Sequence, residues 1–348
     1  MLRHILKKVS RSFYLSLIVL PRVVRQQVSL AYLFCRIADT IADSRMLPYH
    51  QRQEALATFR EQFLLTYPSF TRLEQLQTAV TPSQASEGEQ QLLSHLSDCF
   101  WVFLRLSKAD QQYIRELVLT LTQGMELDLQ YFPGETAATV RALPDLSTLD
   151  QYIYYVAGVV GEFWTKIHTA HLPVLQRCDA QVLCRLGMRF GKGLQMTNIL
   201  KDIAQDLRHG RCYLPASHLE YLQVGVGDLC KPEILGRIRP IIMALTWDTL
   251  EHLDCARDYI LRLPHRAFRL RLSCMWPLLF AVQTLDVVCK SEALLRPDVR
   301  TKISRQVVYR TIGWSVWCLV VPGLFARYYS RLRQRLTTTL LSQEAYMA

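Results

Sequence analysis

Apolar residues recur at three- and four-residue intervals along most of the chain, which is the spacing of an α-helix with one buried face. Convincing stretches of alternating apolar and polar residues, the pattern of half-buried strands, are missing. We therefore expect an all-α protein and not a parallel α/β sheet. The spacing predicts helices over residues 4–20, 22–43, 50–66, 90–106, 108–130, 148–171, 178–207, 231–262, 267–290 and 301–333.

Short connectors separate these helices. Gly, Pro and Ser mark loops at 81–90, 132–147 and 208–232. None of them has the length or composition of a flexible interdomain linker, and no internal repeat of solenoid period occurs. The sequence therefore predicts one domain over residues 1–348, in which residues 311–348 form a terminal apolar and basic helix.

The composition favours a compact protein of the cytoplasm. Half of the 348 residues are hydrophobic, which excludes a disordered polar chain and allows a large core. The ten cysteines are scattered, with no Cys-x-x-Cys pair, as expected of small buried side chains in a reducing compartment. Residues 1–21 begin basic and then turn apolar, but they lack a signal-peptide cleavage site before Pro21. We interpret them as the first helix of the domain.

The C-terminal region is unusually apolar and basic. Residues 311–326 carry no charge between Arg310 and Arg327, and they are too few for an ordinary membrane span. Two interpretations stay open: a terminal helix packed on the core, or an interfacial helix that contacts anionic lipid through residues 311–335. The arginines that support the second interpretation are Arg331, Arg333 and Arg335.

The chain is also basic as a whole. Lys and Arg number 41 against 30 Asp and Glu, which gives a net charge of +11. This charge fits a membrane surface or a polyanion such as a diphosphate. Nucleic acid is disfavoured because no basic stripe is interleaved with aromatic residues. The sequence leaves the oligomeric state open.

Two helical segments each carry a row of polar residues on an otherwise apolar helix. The first row is Tyr32, Arg36, Asp39 and Asp43. The second row is Gln195, Asn198, Asp202 and Asp206. At about 100° per residue, each row occupies a stripe of roughly 60–80° on its helix. Carboxylates one turn apart repel each other, so a buried pair needs a cation or strong hydrogen bonds.

A diphosphate held by magnesium explains two such rows better than two solvated helix faces do. Mg²⁺ prefers octahedral oxygen ligands and combines one or two carboxylates with phosphate oxygens. Arg36, Lys201 and Arg211 add positive charge at the same ends of the helices. A phosphate loop at 187–193 is disfavoured, because GMRFGKG is one residue short and lacks the Ser or Thr after Lys. Helix packing accounts better for its glycines.

At these residues the sequence resembles the squalene/phytoene synthase family, and it is most similar to the bacterial squalene synthases. The blocks that carry the resemblance are SRSF (10–13), DTIAD (39–43), YYVAGVVG (154–161), GLQMTNILKDIAQD (193–206), GRCYLP (210–215) and, more weakly, TKISRQVVYR (301–310). The resemblance implies an isoprenoid-synthase helical bundle around a central apolar cavity. It also implies a prenyltransferase that condenses two allylic prenyl diphosphates head to head.

The resemblance implies roles for individual residues. Tyr155 is expected near the reacting carbons, where it assists proton removal or stabilises a cation with its ring. The implied Mg²⁺ ligands, which are catalytic for that reason, are Asp39, Asp43, Asp202 and Asp206, assisted by Asn198. The residues expected to hold diphosphate or nearby cofactor are Ser10, Arg11, Ser12, Tyr32, Arg36, Gln195, Asn198, Lys201, Arg211 and Lys302. The aromatic residues considered for the cavity wall are Phe13, Tyr14, Phe163, Trp164, Trp276 and Phe280.

The resemblance favours farnesyl diphosphate as substrate and squalene as product, formed through presqualene diphosphate with NADPH as reductant. Phytoene, dehydrosqualene and presqualene diphosphate remain open as products. A different class, a catalytically silent and membrane-associated assembly factor, is suggested by Ala42 and Gln205, where many relatives carry an acidic residue. All four motif aspartates are present, which favours the enzyme. A chain-elongating prenyl synthase is disfavoured because its DDxxD motifs are missing.

Overall fold

Helices account for nearly all of the regular structure in the computed structural model, which describes residues 2–9, 13–44, 46–84 and 86–347. The α-helices are α1 (Leu2–Val9), α2 (Phe13–Val19), α3 (Arg22–Ala42), α4 (Tyr49–Leu64), α5 (Phe70–Val80), α6 (Glu87–Ser94), α7 (Leu96–Leu104), α8 (Lys108–Tyr131), α9 (Leu146–Ile153), α10 (Val159–His171), α11 (Ala180–Arg208), α12 (Ala216–Tyr221), α13 (Leu235–Arg262), α14 (Phe268–Lys290), α15 (Arg305–Val320) and α16 (Leu324–Met347). The expectation of an all-α, single-domain bundle is confirmed.

Two short strands join the loops at one end of the bundle. Strand β1 (Arg141–Ala142) pairs in parallel with β2 (Arg211–Cys212), and Arg141 lies opposite Arg211 in the register. Gly210 precedes β2 with a φ of +76°, and a Cβ there would lie 2.7 Å from the carbonyl oxygen of Gly134. Only glycine adopts this turn without strain and at this distance, so Gly210 fixes the point at which α11 ends and β2 begins.

The terminal segment differs from the single helix predicted for 311–348. It consists of the end of α15 and of α16, which are separated by a turn at Val321, Pro322 and Gly323. Gly323 has a φ of +75°, a conformation that ends a helix, and proline before it cannot continue the hydrogen bonds of α15. The two helices therefore form a hairpin.

A cluster of phenylalanines anchors α3, the helix that carries the first acidic row. Phe34 of α3 packs edge to face against Phe63 of α4, with a centroid distance of 4.9 Å. It also contacts Phe100 and Phe103 of α7 at 4.9 and 5.8 Å. Such pairs contribute beyond the area that they bury, so the position of α3 is fixed on the side opposite its polar row.

Close backbone contacts fix α11, the helix that carries the second acidic row. A Cβ on Gly161 of α10 would lie 1.9 Å from the carbonyl oxygen of Gly187 in α11. Likewise, a Cβ on Gly191 would lie 2.0 Å from the carbonyl oxygen of Ala157. The prediction that helix packing explains the glycines of 187–193 is confirmed.

One helical stretch of the described chain, His265–Lys290, is long and apolar enough to cross a membrane by length and composition. A helix in the core of a bundle meets the same criteria, and 67% of the most apolar 18-residue window of this stretch is buried. Its packing against α2, α11, α13, α15 and α16 accounts for its apolar composition.

Candidate active site

A cavity of about 490 Å³ lies between α3, α8, α10, α11, α13 and α14. Most of its wall is apolar, as the side chains of Leu117, Phe163 and Phe190 illustrate. Polar side chains gather towards the end where α3 and α8 finish and β2 begins. The cavity therefore joins a charged end to a longer apolar chamber.

The first acidic row lies at the charged end of this cavity. Asp39 belongs to the last turn of α3, and Asp43 follows that helix. Arg36 forms an ion pair with Asp39 and a second one with Glu89 at 2.6 Å, while Arg211 approaches Asp43 at 2.8 Å. Burial and the negative charge of Asp43 raise the pKa of Asp39 to about 6, although both arginines oppose the shift.

The second acidic row begins in the cavity and continues outside it. Gln195 and Asn198 line the cavity wall, whereas Asp202 and Asp206 lie one and two turns further along α11. Asp202 has a side chain that is 44% exposed and lies 3.2 Å from the ammonium group of Lys201. Of the two carboxylate pairs, the described part of the cavity wall contains only the first.

Electrostatics nevertheless connect the two rows. Burial raises the pKa of Asp206 to about 8, and the charges of Asp202, Asp128 and Asp43 contribute to the shift. Asp206 and Arg211 share a small hollow beside the main cavity. The carboxylates of α3, α8 and α11 therefore repel one another around one guanidinium group, which is the electrostatic setting of a cation site.

Asp128 of α8 is a site residue that the sequence analysis missed. It lines the cavity, accepts a hydrogen bond of 2.6 Å from the hydroxyl of Tyr213, and lies 3.1 Å from Arg211. Because Arg211 also contacts Asp43, one guanidinium bridges the carboxylates of α3 and α8. No second acidic residue lies one turn from Asp128 on α8, so the sequence shows no acidic row that would indicate this role.

Tyr152 is the second missed residue, and it lies in the cavity wall near the position expected of Tyr155. Tyr152 lines the cavity, stacks on Tyr213 at a centroid distance of 5.0 Å, and donates a hydrogen bond of 3.2 Å to the hydroxyl of Tyr213. Tyr155 is not among the described residues of the cavity wall, and its hydroxyl accepts a hydrogen bond from Gln151. The π-helical turn Tyr154–Gly158 shifts the register, so Val156 and Ala157 line the cavity instead.

The other predicted residues lie in the cavity wall, on the surface before α15, or outside the described residues. Tyr32 lines the cavity and donates a hydrogen bond of 3.2 Å to the carbonyl oxygen of Val9. Lys302 is exposed before α15 and makes no ion pair with the described residues of the site. Ser10, Arg11 and Ser12 lie outside the described residues, as do the side chains of Phe13 and Tyr14.

The aromatic candidates divide between the cavity wall and the core. Phe163 and Trp164 line the cavity. Trp276 and Phe280 are not among its described lining residues, and the indole of Trp276 donates a hydrogen bond of 2.8 Å to Ser315 of α15. Trp276 therefore serves to hold the C-terminal hairpin.

The donor set fits magnesium when a substrate supplies further ligands. Among the described residues, no group of three or more His, Cys, Asp or Glu side chains has metal-binding geometry. Each row offers two carboxylates, and Mg²⁺ typically takes one or two carboxylates together with phosphate oxygens and water. Burial and neighbouring carboxylates raise the pKa of Asp39 and of Asp206 despite the arginines beside them, so further positive charge would stabilise both carboxylates. A cation with a diphosphate would supply that charge.

We predict that Tyr213→Phe lowers the free energy of unfolding by about 1–3 kcal/mol, because the buried carboxylate of Asp128 loses a hydrogen-bond donor. Urea unfolding followed by circular dichroism measures the change. Tyr131→Phe is the matched control, since the hydroxyl of half-buried Tyr131 makes no hydrogen bond to a described residue. An equal loss in both variants would contradict the role of the Tyr213–Asp128 bond.

Comparison with known proteins agrees with this geometry. The sequence profile of the squalene/phytoene synthase family matches residues 6–306. Squalene synthase of Schizosaccharomyces pombe is 24% identical over 93% of this chain, which spans 66% of that protein. Presqualene diphosphate synthase of Rhodopseudomonas palustris is 28% identical over 74% of this chain and 77% of its own length.

Solved structures show the same fold. The complex of TcSQS with the ligand E5700 has a TM-score of 0.73 at 20% identity and covers 99% of this chain and 97% of that one. A dehydrosqualene synthase structure has a TM-score of 0.60 at 19% identity, covering 92% and 95% of the two chains. With the family profile matched over most of its length, this chain belongs to the squalene/phytoene synthase family of prenyltransferases, which condense prenyl diphosphates head to head.

Proposed function

We propose that the enzyme joins two molecules of farnesyl diphosphate into presqualene diphosphate and reduces this intermediate to squalene. The observation that carries the proposal is the main cavity, in which a charged end continues into an apolar chamber. This arrangement matches a substrate with a diphosphate group and a long hydrocarbon chain. Squalene synthases among the relatives support the choice of product.

At the charged end, the chain's own residues bind and orient diphosphate. Arg36, Lys201 and Arg211 offer donors of the kind that phosphate oxygens accept. Asp39, Asp43, Asp202 and Asp206, with Asn198, are the proposed ligands of Mg²⁺, which supplies Lewis acidity and neutralises the charge of the departing diphosphate. Gln195 and Tyr32 line the wall beside them and are proposed to hold the diphosphate or a nearby cofactor.

In the apolar chamber, the residues exclude water and stabilise carbocations. Water would trap an allylic cation, and the walls offer mostly apolar side chains. The rings of Phe163 and Trp164 present π faces to positive charge. Tyr152 is the proposed catalytic phenol in place of Tyr155, since it lies in the wall and its hydroxyl is held by Tyr213.

NADPH is the proposed reductant, and Mg²⁺ the proposed metal, because the family generally uses both. Presqualene diphosphate is the second candidate product. Presqualene diphosphate synthases are similar to this chain over about three quarters of its length, and a half-reaction enzyme needs no reductant. The assembly-factor alternative is disfavoured, because Asp39 and Asp43 lie in the wall of a large cavity.

Incubation of the purified protein with Mg²⁺ and farnesyl diphosphate, with and without NADPH, decides the product. We expect squalene only when NADPH is present. A hydrocarbon triene formed without NADPH would indicate dehydrosqualene, and accumulated cyclopropyl diphosphate would indicate the half reaction. Product from geranylgeranyl diphosphate alone would indicate phytoene. No turnover of any prenyl diphosphate would contradict the enzymatic proposal.

Asp39→Asn and Asp202→Asn are each expected to lower turnover by about 100-fold or more, because each removes a charge that holds the cation and its diphosphate. Release of pyrophosphate measures turnover, and circular dichroism checks that the variants fold. Asp98→Asn is the control, since Asp98 is a half-exposed partner of His95 and is not among the described lining residues of the cavity. Near-normal turnover in either site variant would remove that residue from the metal role.

Tyr152→Phe is expected to lower product formation by about 100-fold, the usual scale of a lost acid–base group, with little change in KM. Tyr155→Phe is expected to stay within about twofold of the wild type, because Tyr155 does not line the cavity. Product formation under saturating farnesyl diphosphate compares the two. A larger effect at Tyr155 would support the role that the family resemblance implies for it.

We propose a cytoplasmic enzyme in peripheral contact with a membrane through residues 311–335. The support comes from exposed side chains at the end of α15: Trp317 is 63% exposed and Val320 is 71% exposed. Arg331 and Arg335 are exposed on α16. Substrate and product with long hydrocarbon chains fit a location at the edge of a bilayer.

A further inference from the structure

An exposed apolar surface lies at one end of the bundle, where two turns between helices meet. The first turn joins α13 to α14, and the second joins α15 to α16. The exposed apolar side chains around them are Leu261, Phe268, Trp314, Val316, Trp317, Val320 and Val321, with exposed fractions from 41% to 71%. Exposed aromatic and aliphatic side chains in such number mark a binding surface.

Side-chain hydrogen bonds establish that the two turns share one end. Along α14, Gln283 donates to Thr311 at 3.0 Å and Trp276 donates to Ser315 at 2.8 Å, so α15 runs antiparallel to α14. The end of α15 at Val320 therefore lies near the beginning of α14 at Phe268, since each helix advances 1.5 Å per residue.

The contacts of α16 give the same placement. Near its beginning, Tyr329 donates a hydrogen bond of 3.0 Å to Asp254 of α13. Further along, Thr339 donates a hydrogen bond of 2.9 Å to Asp286 of α14. Helix α16 therefore starts beside the end of α13 and follows α14 away from it. We call the surface formed by the two turns the apolar–basic end.

Positive charge predominates at this end, although Asp258 precedes it on α13 and Asp179 follows Cys178, whose thiol contacts the carbonyl oxygen of Arg262. The exposed arginines that surround it are Arg262, Arg266, Arg269 and Arg327. The sequence contains no Asp or Glu from 259 to 285 or from 299 to 343. Arginines around exposed Trp, Phe and Val side chains are complementary to anionic lipid headgroups above hydrocarbon.

The position of the cavity shows which part of the active site lies nearest to this end. Its apolar part is lined by Tyr259 of α13 and by Cys274 of α14. Tyr259 lies three residues before the end of α13 at Arg262, which is about 4.5 Å along the helix axis. The carboxylates of Asp39 and Asp43 lie at the other end of the cavity. The hydrocarbon end of the cavity therefore lies beneath the apolar–basic end.

We infer that the apolar–basic end docks on an anionic bilayer, with the apolar end of the cavity towards the lipid and the carboxylate end towards water. This inference deepens the proposed function, on which it rests for the orientation of the prenyl chains. It also extends the membrane contact beyond 311–335 to the turn between α13 and α14. A diphosphate then stays in the aqueous phase, while hydrocarbon chains lie near the bilayer from which they partition.

Vesicle flotation of the full chain tests the docking. Vesicles of phosphatidylcholine with phosphatidylglycerol should bind the wild type more tightly than vesicles of phosphatidylcholine alone. Phe268→Ser with Trp317→Ser should weaken partitioning into the anionic vesicles by about tenfold or more, and Arg266→Glu with Arg269→Glu should abolish the preference for anionic lipid. Tyr67→Ser with Tyr221→Ser is the matched control, since both tyrosines are exposed elsewhere, and it should bind as the wild type does.

Equal binding of the wild type to both vesicles, or unchanged binding of either surface variant, would overturn the inference. An equal loss in the tyrosine control would overturn it too. Light scattering tests whether a second copy of the chain covers this surface instead of lipid. A dimer that becomes a monomer in the Phe268→Ser, Trp317→Ser variant would also overturn the inference. Quenching of tryptophan fluorescence by brominated lipid should disappear in Trp314→Phe with Trp317→Phe, and persistent quenching would place the contact elsewhere.

Activity in detergent micelles separates this inference from the proposed function. The surface variants should turn over dispersed farnesyl diphosphate as the wild type does, because none of the changed residues lines the cavity. Vesicle binding through this end without any squalene would reject the product and keep the docking. Squalene formation with unchanged binding of the surface variants would reject the docking and keep the product.

Discussion

Repulsion between carboxylates at one end of an apolar cavity is the constraint on which the site depends. Asp43 and Asp128 belong to different parts of the chain, and the guanidinium of Arg211 lies within 3.1 Å of both. Asp206 lies beside the same group, and burial together with the charges of neighbouring carboxylates raises its pKa to about 8. Such a concentration of negative charge persists only where cations neutralise it, and this is what suits the site to a cation-bound diphosphate.

The packing around the site explains how this charge is held in place. Helix α3 is fixed by phenylalanines on its apolar side, and α11 is fixed by glycine contacts with α10 and the π-helical turn. Separation of the helices, which would relieve the repulsion, would break these contacts. The left-handed turn at Gly210 then starts the strand that carries Arg211. Rigid surroundings therefore preserve an electrostatic arrangement that is unfavourable without a ligand.

Polar and apolar surfaces follow one another along one axis of the bundle. Carboxylates and arginines lie where α3 and α11 finish, and the cavity becomes apolar towards Tyr259 and Cys274. Beyond them the turns of the C-terminal helices expose tryptophan, phenylalanine and arginine. A prenyl diphosphate joins a charged group to a hydrocarbon chain. The order of polar and apolar surfaces along the protein therefore matches the order of the two parts of such a substrate.

The sequence by itself determined the helical class, the two acidic rows and the family, because periodicity and local motifs are properties of neighbouring residues. It also indicated that the glycines of 187–193 serve helix packing. Only the tertiary structure decided that Asp128 and Tyr152 belong to the cavity and that Tyr155 does not line it, since these positions depend on long-range contacts and on a π-helical change of register. The position of Asp202 outside the cavity wall, and the meeting of two distant turns at one end, likewise follow from helix packing, which no local pattern records.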